Sequence, residues 1–149
     1  MKYLILISVS IFTFSCSQQN PKKLDQSLEH QKNLNSLEIE FQKKIDTGIG
    51  IVFTVSEYNN QIDSLLNVVY QSLNTQLTKE EIVKLKLDQQ DWINIRDFKI
   101  DSMQKPLDSL FDSGLHIPTD SRLINLDADA QFVKKRIEVL IKKLHTTQN

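Results

Sequence analysis

Gln89, Trp92 and Arg96 stand at steps of three and four residues, so on a helix they share one face with Ile82 and Leu85. Gln89 and Arg96 are out of place in an apolar stripe. A guanidinium cannot shed its charge, and burying it unpaired is very costly, so Arg96 calls for a carboxylate. Asp63 and Asp97 are the candidates, although Asp97 is adjacent in sequence and points to a different side of the helix. The Trp92 indole N–H needs an acceptor of its own. Upstream, Asn67 and Tyr70 lie three apart and flank Leu65, Leu66, Val69 and Leu73. Asn67, Tyr70, Gln89, Trp92 and Arg96 are read as a polar network locking two helices together, with a ligand site as the alternative.

Other chemistry is sparse. Asp88, Asp91, Asp97, Asp101, Asp108 and Asp112 form an acidic series that could steer a basic partner, but the spacings spread it around a helix, as on a solvated surface. His30, His116 and His145 are far apart and have no metal-ligand spacing. No nucleophile–base–orienter set and no glycine-rich phosphate loop is present. The sequence therefore implies no enzyme, no metal and no cofactor. With 18 basic against 19 acidic residues, net charge −1, it offers no basic stripe for nucleic acid.

Cys16 is the single cysteine. It follows Met1–Ser15, a lysine-led apolar run too short to cross about 30 Å of hydrocarbon and read as an export signal. A lone thiol at that boundary, preceded by the small Ser15, points to a lipoprotein signal peptide over 1–15 and lipidation at Cys16; an ordinary secretory signal with an incidental cysteine is the alternative. Lipid chains contribute about 0.8 kcal/mol per buried CH₂. Residues 16–23 are then a polar tether, and the rest projects into an aqueous compartment outside the cytoplasm.

The chain has 149 residues, only three Gly and three Pro, and 25% charged residues, which fits one mostly helical domain. Over 24–47, Leu24, Leu28, Leu34, Leu37, Phe41 and Ile45 predict an amphipathic N-terminal helix; Gln31 and Asn35 interrupt any heptad seam. Gly48 and Gly50 end it. The β-branched IVFTV over 51–55 has no convincing strand to pair with and is expected as an extended, buried connector. Helices are expected from about Ser56 to Leu77 and from Lys79 to beyond Met103. Thr78 and Glu81 have capping-box spacing at the start of the second. Pro106 is expected to kink or break that helix. Ser113–Asp120 is a loop. Thr119 or Asp120 can cap a last helix with Leu126, Val133, Ile137, Leu140 and Leu144 inward and lysines outward or at its C-terminal end. The expected fold is all-α, a small antiparallel helical bundle with an additional N-terminal helix.

The string L-N-x-x-Y, a spacer, then L-x-x-x-Q-x-x-W-x-x-x-R-D resembles the LprI-type lysozyme-inhibitor domain, a family of small helical exported bacterial proteins. The match runs through Asp63, Leu66, Asn67, Tyr70, Leu85, Gln89, Trp92, Arg96 and Asp97, with Thr54, Glu57 and Asn59 fitting more loosely. The resemblance places an LprI-like domain over 51–145. Members of the family often carry a cysteine soon after the R-D pair and another near the start of the domain. Here Ile100 and a cysteine-free 54–63 segment stand in those regions, so packing must replace a disulfide typically worth about 2–4 kcal/mol. The implied activity is stoichiometric blocking of a cell-wall-degrading enzyme by a lipid-anchored, extracytoplasmic protein. The implied partner is a protein, a lysozyme by resemblance, besides the membrane reached through the lipid. The alternative is a non-inhibitory interaction module of the bacterial envelope. Inhibition predicts a protruding loop around Phe111–Thr119; the module predicts an apolar patch on the 24–45 helix.

Overall fold

The computed structural model describes residues 26–148. The expected cysteine anchor, the tether and the signal segment lie outside them. Four helices follow one another: α1 (Gln26–Asp46), α2 (Ile51–Asn74), α3 (Lys79–Asp112) and α4 (Thr119–Gln148). No strand occurs among the described residues, and the fold is all-α.

Three local signals place the helix ends. Gly48 and Gly50 both take positive φ, 69° and 62°, a conformation that costs glycine little, and Gly50 precedes the first residue of α2. Thr78 opens α3 as a complete capping box: its hydroxyl accepts from the Glu81 N–H while the Glu81 carboxylate accepts from the Thr78 N–H at 2.9 Å. Gly114, at φ 71°, ends α3. α4 starts at Thr119 itself.

Two expectations are corrected. Residues 51–55 are the first turn of α2, not an extended connector, and only Thr54 and Val55 are buried while Ile51, Val52 and Phe53 face solvent. Helix formation costs a β-branched residue only a few tenths of a kcal/mol, and among the described residues no strand rewards the extended form. Thr54, Val55, Tyr58, Asn59 and Ile62 then share the buried helical face. Pro106 does not break α3. It is exposed, so water can satisfy the Ser102 carbonyl left without an N–H donor. Leu107, just beyond it, is buried and holds the last turns to the bundle.

Sequence neighbours run antiparallel. Gln76 meets Gln26, Ser72 meets His30 and Glu57 meets Lys44 along α1 and α2. The central pair, however, is α2 with α4, and these are parallel: Asn59 reaches the Leu126 carbonyl, and Asp63 and Asp129 share one arginine. Tyr58, Ile62, Leu66, Val69 and Leu73 pack there against Ala130, Val133, Ile137, Leu140 and Leu144. α1 adds Leu34, and Phe41 stacks on Tyr58 with ring centroids 4.2 Å apart. α1 and α3 lie on opposite sides of α4. Residues 134, 138, 141 and 145 face α1, while 125, 129, 132 and 136 face α3, and at 100° per residue these stripes are about half a turn apart.

Candidate functional site

The inward face of α3 carries Leu85, Gln89, Trp92 and Arg96, and opposite it on α4 stand Asp129, Phe132 and Arg136. Both sets have steps of three and four, and the helices are antiparallel, so they meet as three rungs. Arg136 Nε donates to Gln89 Oε1 at 3.0 Å, and its Nη2 donates to Asp88 at 2.7 Å. Trp92 stacks on Phe132 with centroids 5.5 Å apart and planes within 10°. Arg96 donates twice to Asp129, at 2.7 and 2.8 Å. The Arg96 and Arg136 guanidinium carbons lie 5.6 and 5.8 Å from the Trp92 ring, so the indole sits between two cations whose charge its π-face attracts.

Arg96 also reaches α2, donating to both Asp63 oxygens at 2.9 and 3.1 Å. One planar fork thus binds two carboxylates and ties three helices. The Asp129 bonds, then those to Asp63, hold the guanidinium even further above its ordinary titration range, against the opposing effect of burial. Of the two carboxylates named from sequence, Asp63 is the partner and Asp97 is exposed, away from the cluster. Tyr70 packs against the core and Asn67 is exposed, so neither joins the Arg96 cluster. Asp129, Phe132 and Arg136 went unnoticed in the sequence. Their signal was present: D-x-x-F-x-x-x-R repeats the spacing of Q-x-x-W-x-x-x-R.

The second feature is the pole where α1 turns into α2 and α3 into α4. Ile49, Val52, Phe53, Phe111 and Leu115 are all exposed there, Phe53 at 73% and Phe111 at 69%. Val52, Phe111, Leu115, His116, Ile117 and Arg122 line an open groove of about 410 Å³. Asp120 lines a neighbouring groove with Val52 and Phe53, and Asp46 and Asp112, the last residues of α1 and α3, are exposed at the same pole. Large apolar side chains clustered in solvent in this way are a feature of interaction surfaces. On α1 the exposed large apolar residues are only Leu28 and Ile39, eleven positions apart.

The model of the family lysozyme inhibitor LprI matches residues 40–140. The chain belongs to the LprI lysozyme-inhibitor family. Searches of curated proteins and of solved structures give no match. The three-rung network lies wholly inside the LprI match, as does the apolar pole. Residues 26–39 of α1 fall before it, yet Ser27, His30 and Leu34 are buried against the bundle, so this LprI-family core is completed by a segment outside the family pattern. His30 Nε2 lies 2.9 Å from Ser72 Oγ, and burial lowers its pKa below the ordinary 6.5. Tyr58, stacked on Phe41 nearer the other end of α2, is pushed up to about 12, by burial first. No cluster of His, Cys, Asp or Glu among the described residues could hold a metal ion, and no described helix is long and apolar enough to cross a membrane.

Proposed function

We propose that this protein is a lipid-anchored, extracytoplasmic binding protein that blocks a lysozyme by stoichiometric binding and does no chemistry itself. The observation that carries this reading is the LprI family match over residues 40–140. In it, Asn67, Tyr70, Gln89, Trp92, Arg96 and Asp97 belong to the scaffold, and the pole bearing Phe53 and Phe111 is the contact surface. Lysozymes are typically basic and hold catalytic carboxylates in a deep cleft. The rim of Asp46, Asp112 and Asp120 suits approach to a basic protein, the phenylalanines supply desolvated anchors, and Arg122 is an exposed guanidinium able to meet a cleft carboxylate. Cys16 would carry the lipid.

The test is a cell-wall lysis assay. The chain from Ser17 onward is titrated against a basic c-type lysozyme at low and moderate salt. Saturating inhibition near one-to-one is expected, with Phe53→Ser combined with Phe111→Ser weakening it at least tenfold while the melting temperature holds. Absence of inhibition at both salts would refute the reading for that lysozyme class. Pull-downs from the envelope with the same variants would then test the interaction-module alternative.

A further inference from the structure

The outer face of α3 has no partner in the chain. Of its 34 residues only Leu85 and Leu107 are buried. On the side opposite Leu85, Trp92 and Arg96 lie Glu80, Lys84, Leu87, Asp91, Asn94, Phe98, Asp101 and Lys105, all exposed, with Leu87 at 64% and Phe98 at 75%. At 100° per residue these eight fall on one continuous stripe, flanked by exposed Val83 and Ile95. Glu80, Lys84, Asp91, Asp101 and Lys105 make no ion pair or hydrogen bond within the described chain.

The order of residue types along this stripe reads the same way after reversal and exchange of charge sign at its ends. We propose that a second copy of the chain docks here, the two α3 helices packing antiparallel about a two-fold axis at the level of Trp92 and Ile93. In that register Leu87 meets Phe98 of the second copy, Lys84 meets Asp101, and Glu80 meets Lys105. Asp91 meets Asn94, whose side-chain carbonyl already accepts from Gln90 at 3.2 Å, leaving its amide free to donate. Each contact occurs twice by symmetry, as an isologous interface requires. Because the stripe faces away from α4, two bundles can approach without collision.

A single helix pair of this size falls at the low end of specific interfaces, around 1,200 Å² in total, so a dimer of micromolar affinity is expected. The two loop poles then lie at opposite ends of the dimer, and so do the two α1 starts at Gln26. An anchored dimer would therefore lie along the membrane with one apolar pole at each end. This inference stands independently of lysozyme binding.

The test is sedimentation velocity on the chain from Ser17 onward, which retains all four helices and their core, from about 1 to 100 μM, the range in which interfaces of this size associate. A monomer–dimer equilibrium is expected. Phe98→Ser should weaken it about tenfold or more by removing two apolar contacts. Lys84→Glu alone should weaken it several-fold, by setting like charges against Asp101 of the second copy at two symmetric positions. Lys84→Glu combined with Asp101→Lys should restore it to within about threefold. A monomer at every concentration, or a dimer indifferent to Phe98→Ser and to the charge exchange, overturns the proposal. Because the altered residues are exposed, the melting temperature of each variant should stay near that of the parent.

Discussion

Arg96 is where removal of one side chain should tell most about the fold. Arg96→Met deletes four charge-assisted hydrogen bonds and strands two carboxylates. Breaking a buried pair from one side costs about 3–5 kcal/mol. Here the Asp63 side chain is 42% exposed and the Asp129 side chain 17%, so water can rescue Asp63 more than Asp129, and about 3 kcal/mol is the expected loss. At roughly 4 °C per kcal/mol for a domain of this size, the melting temperature should fall about 12 °C. The two carboxylates should separate further. Asp129→Asn is expected to cost about 2 kcal/mol, since it weakens the shorter and more buried pair. Asp63→Asn should cost under about 1 kcal/mol, because it also relieves repulsion between two anions sharing one cation. In the Arg96→Met background the order inverts in sign: Asp129→Asn should recover about 1 kcal/mol by removing a stranded charge. Urea denaturation followed by helical circular dichroism measures all four variants and the cycle. An Arg96→Met protein within about 0.5 kcal/mol of the parent, or a larger loss from Asp63→Asn than from Asp129→Asn, would refute the assignment of Arg96 as the tie among α2, α3 and α4.

Thr78→Ala removes the hydroxyl half of the capping box at the start of α3, leaving the bond from the residue 78 N–H to Glu81, and should cost about 1 kcal/mol by denaturant titration, with Thr78→Ser retaining most of the stability. The buried His30 gives a pH dependence of definite sign. Its pKa is lowered in the folded state, so the unfolded chain binds the proton more readily. Stability from this group is whole above pH 6.5 and is lost as pH falls toward the lowered folded value. His30→Gln should flatten the fall in stability between pH 7.5 and 5.5 by up to about 1.4 kcal/mol per pH unit, and an unchanged slope would discount the buried imidazole. Gly50→Ala forces a side chain into φ 62° and should lower stability by about 1 kcal/mol although nothing crowds the site.

Much of this molecule is written locally. The Thr78–Glu81 box, the glycines after α1 and the inward stripes of α2 and α4 each depend on groups within a few residues of one another, because helix hydrogen bonds and caps close over one turn. Even the Asp63 partner of Arg96 was open to chemical reasoning, since a buried guanidinium demands a carboxylate. The exposed turn at Ile51–Phe53 was not legible, because β-branched residues only weakly oppose a helix and packing of Thr54 and Val55 decided the matter. Nor was the passage of α3 through Pro106, which turns on whether the proline faces water or core. The parallel pairing of α2 with α4, the assignment of Asp129, Phe132 and Arg136 to the rungs facing α3, and the isolation of the outer α3 face all depend on which helix faces meet across long stretches of chain. Spacing along one helix shows that a face exists. Only the packing of the other three shows what, if anything, covers it.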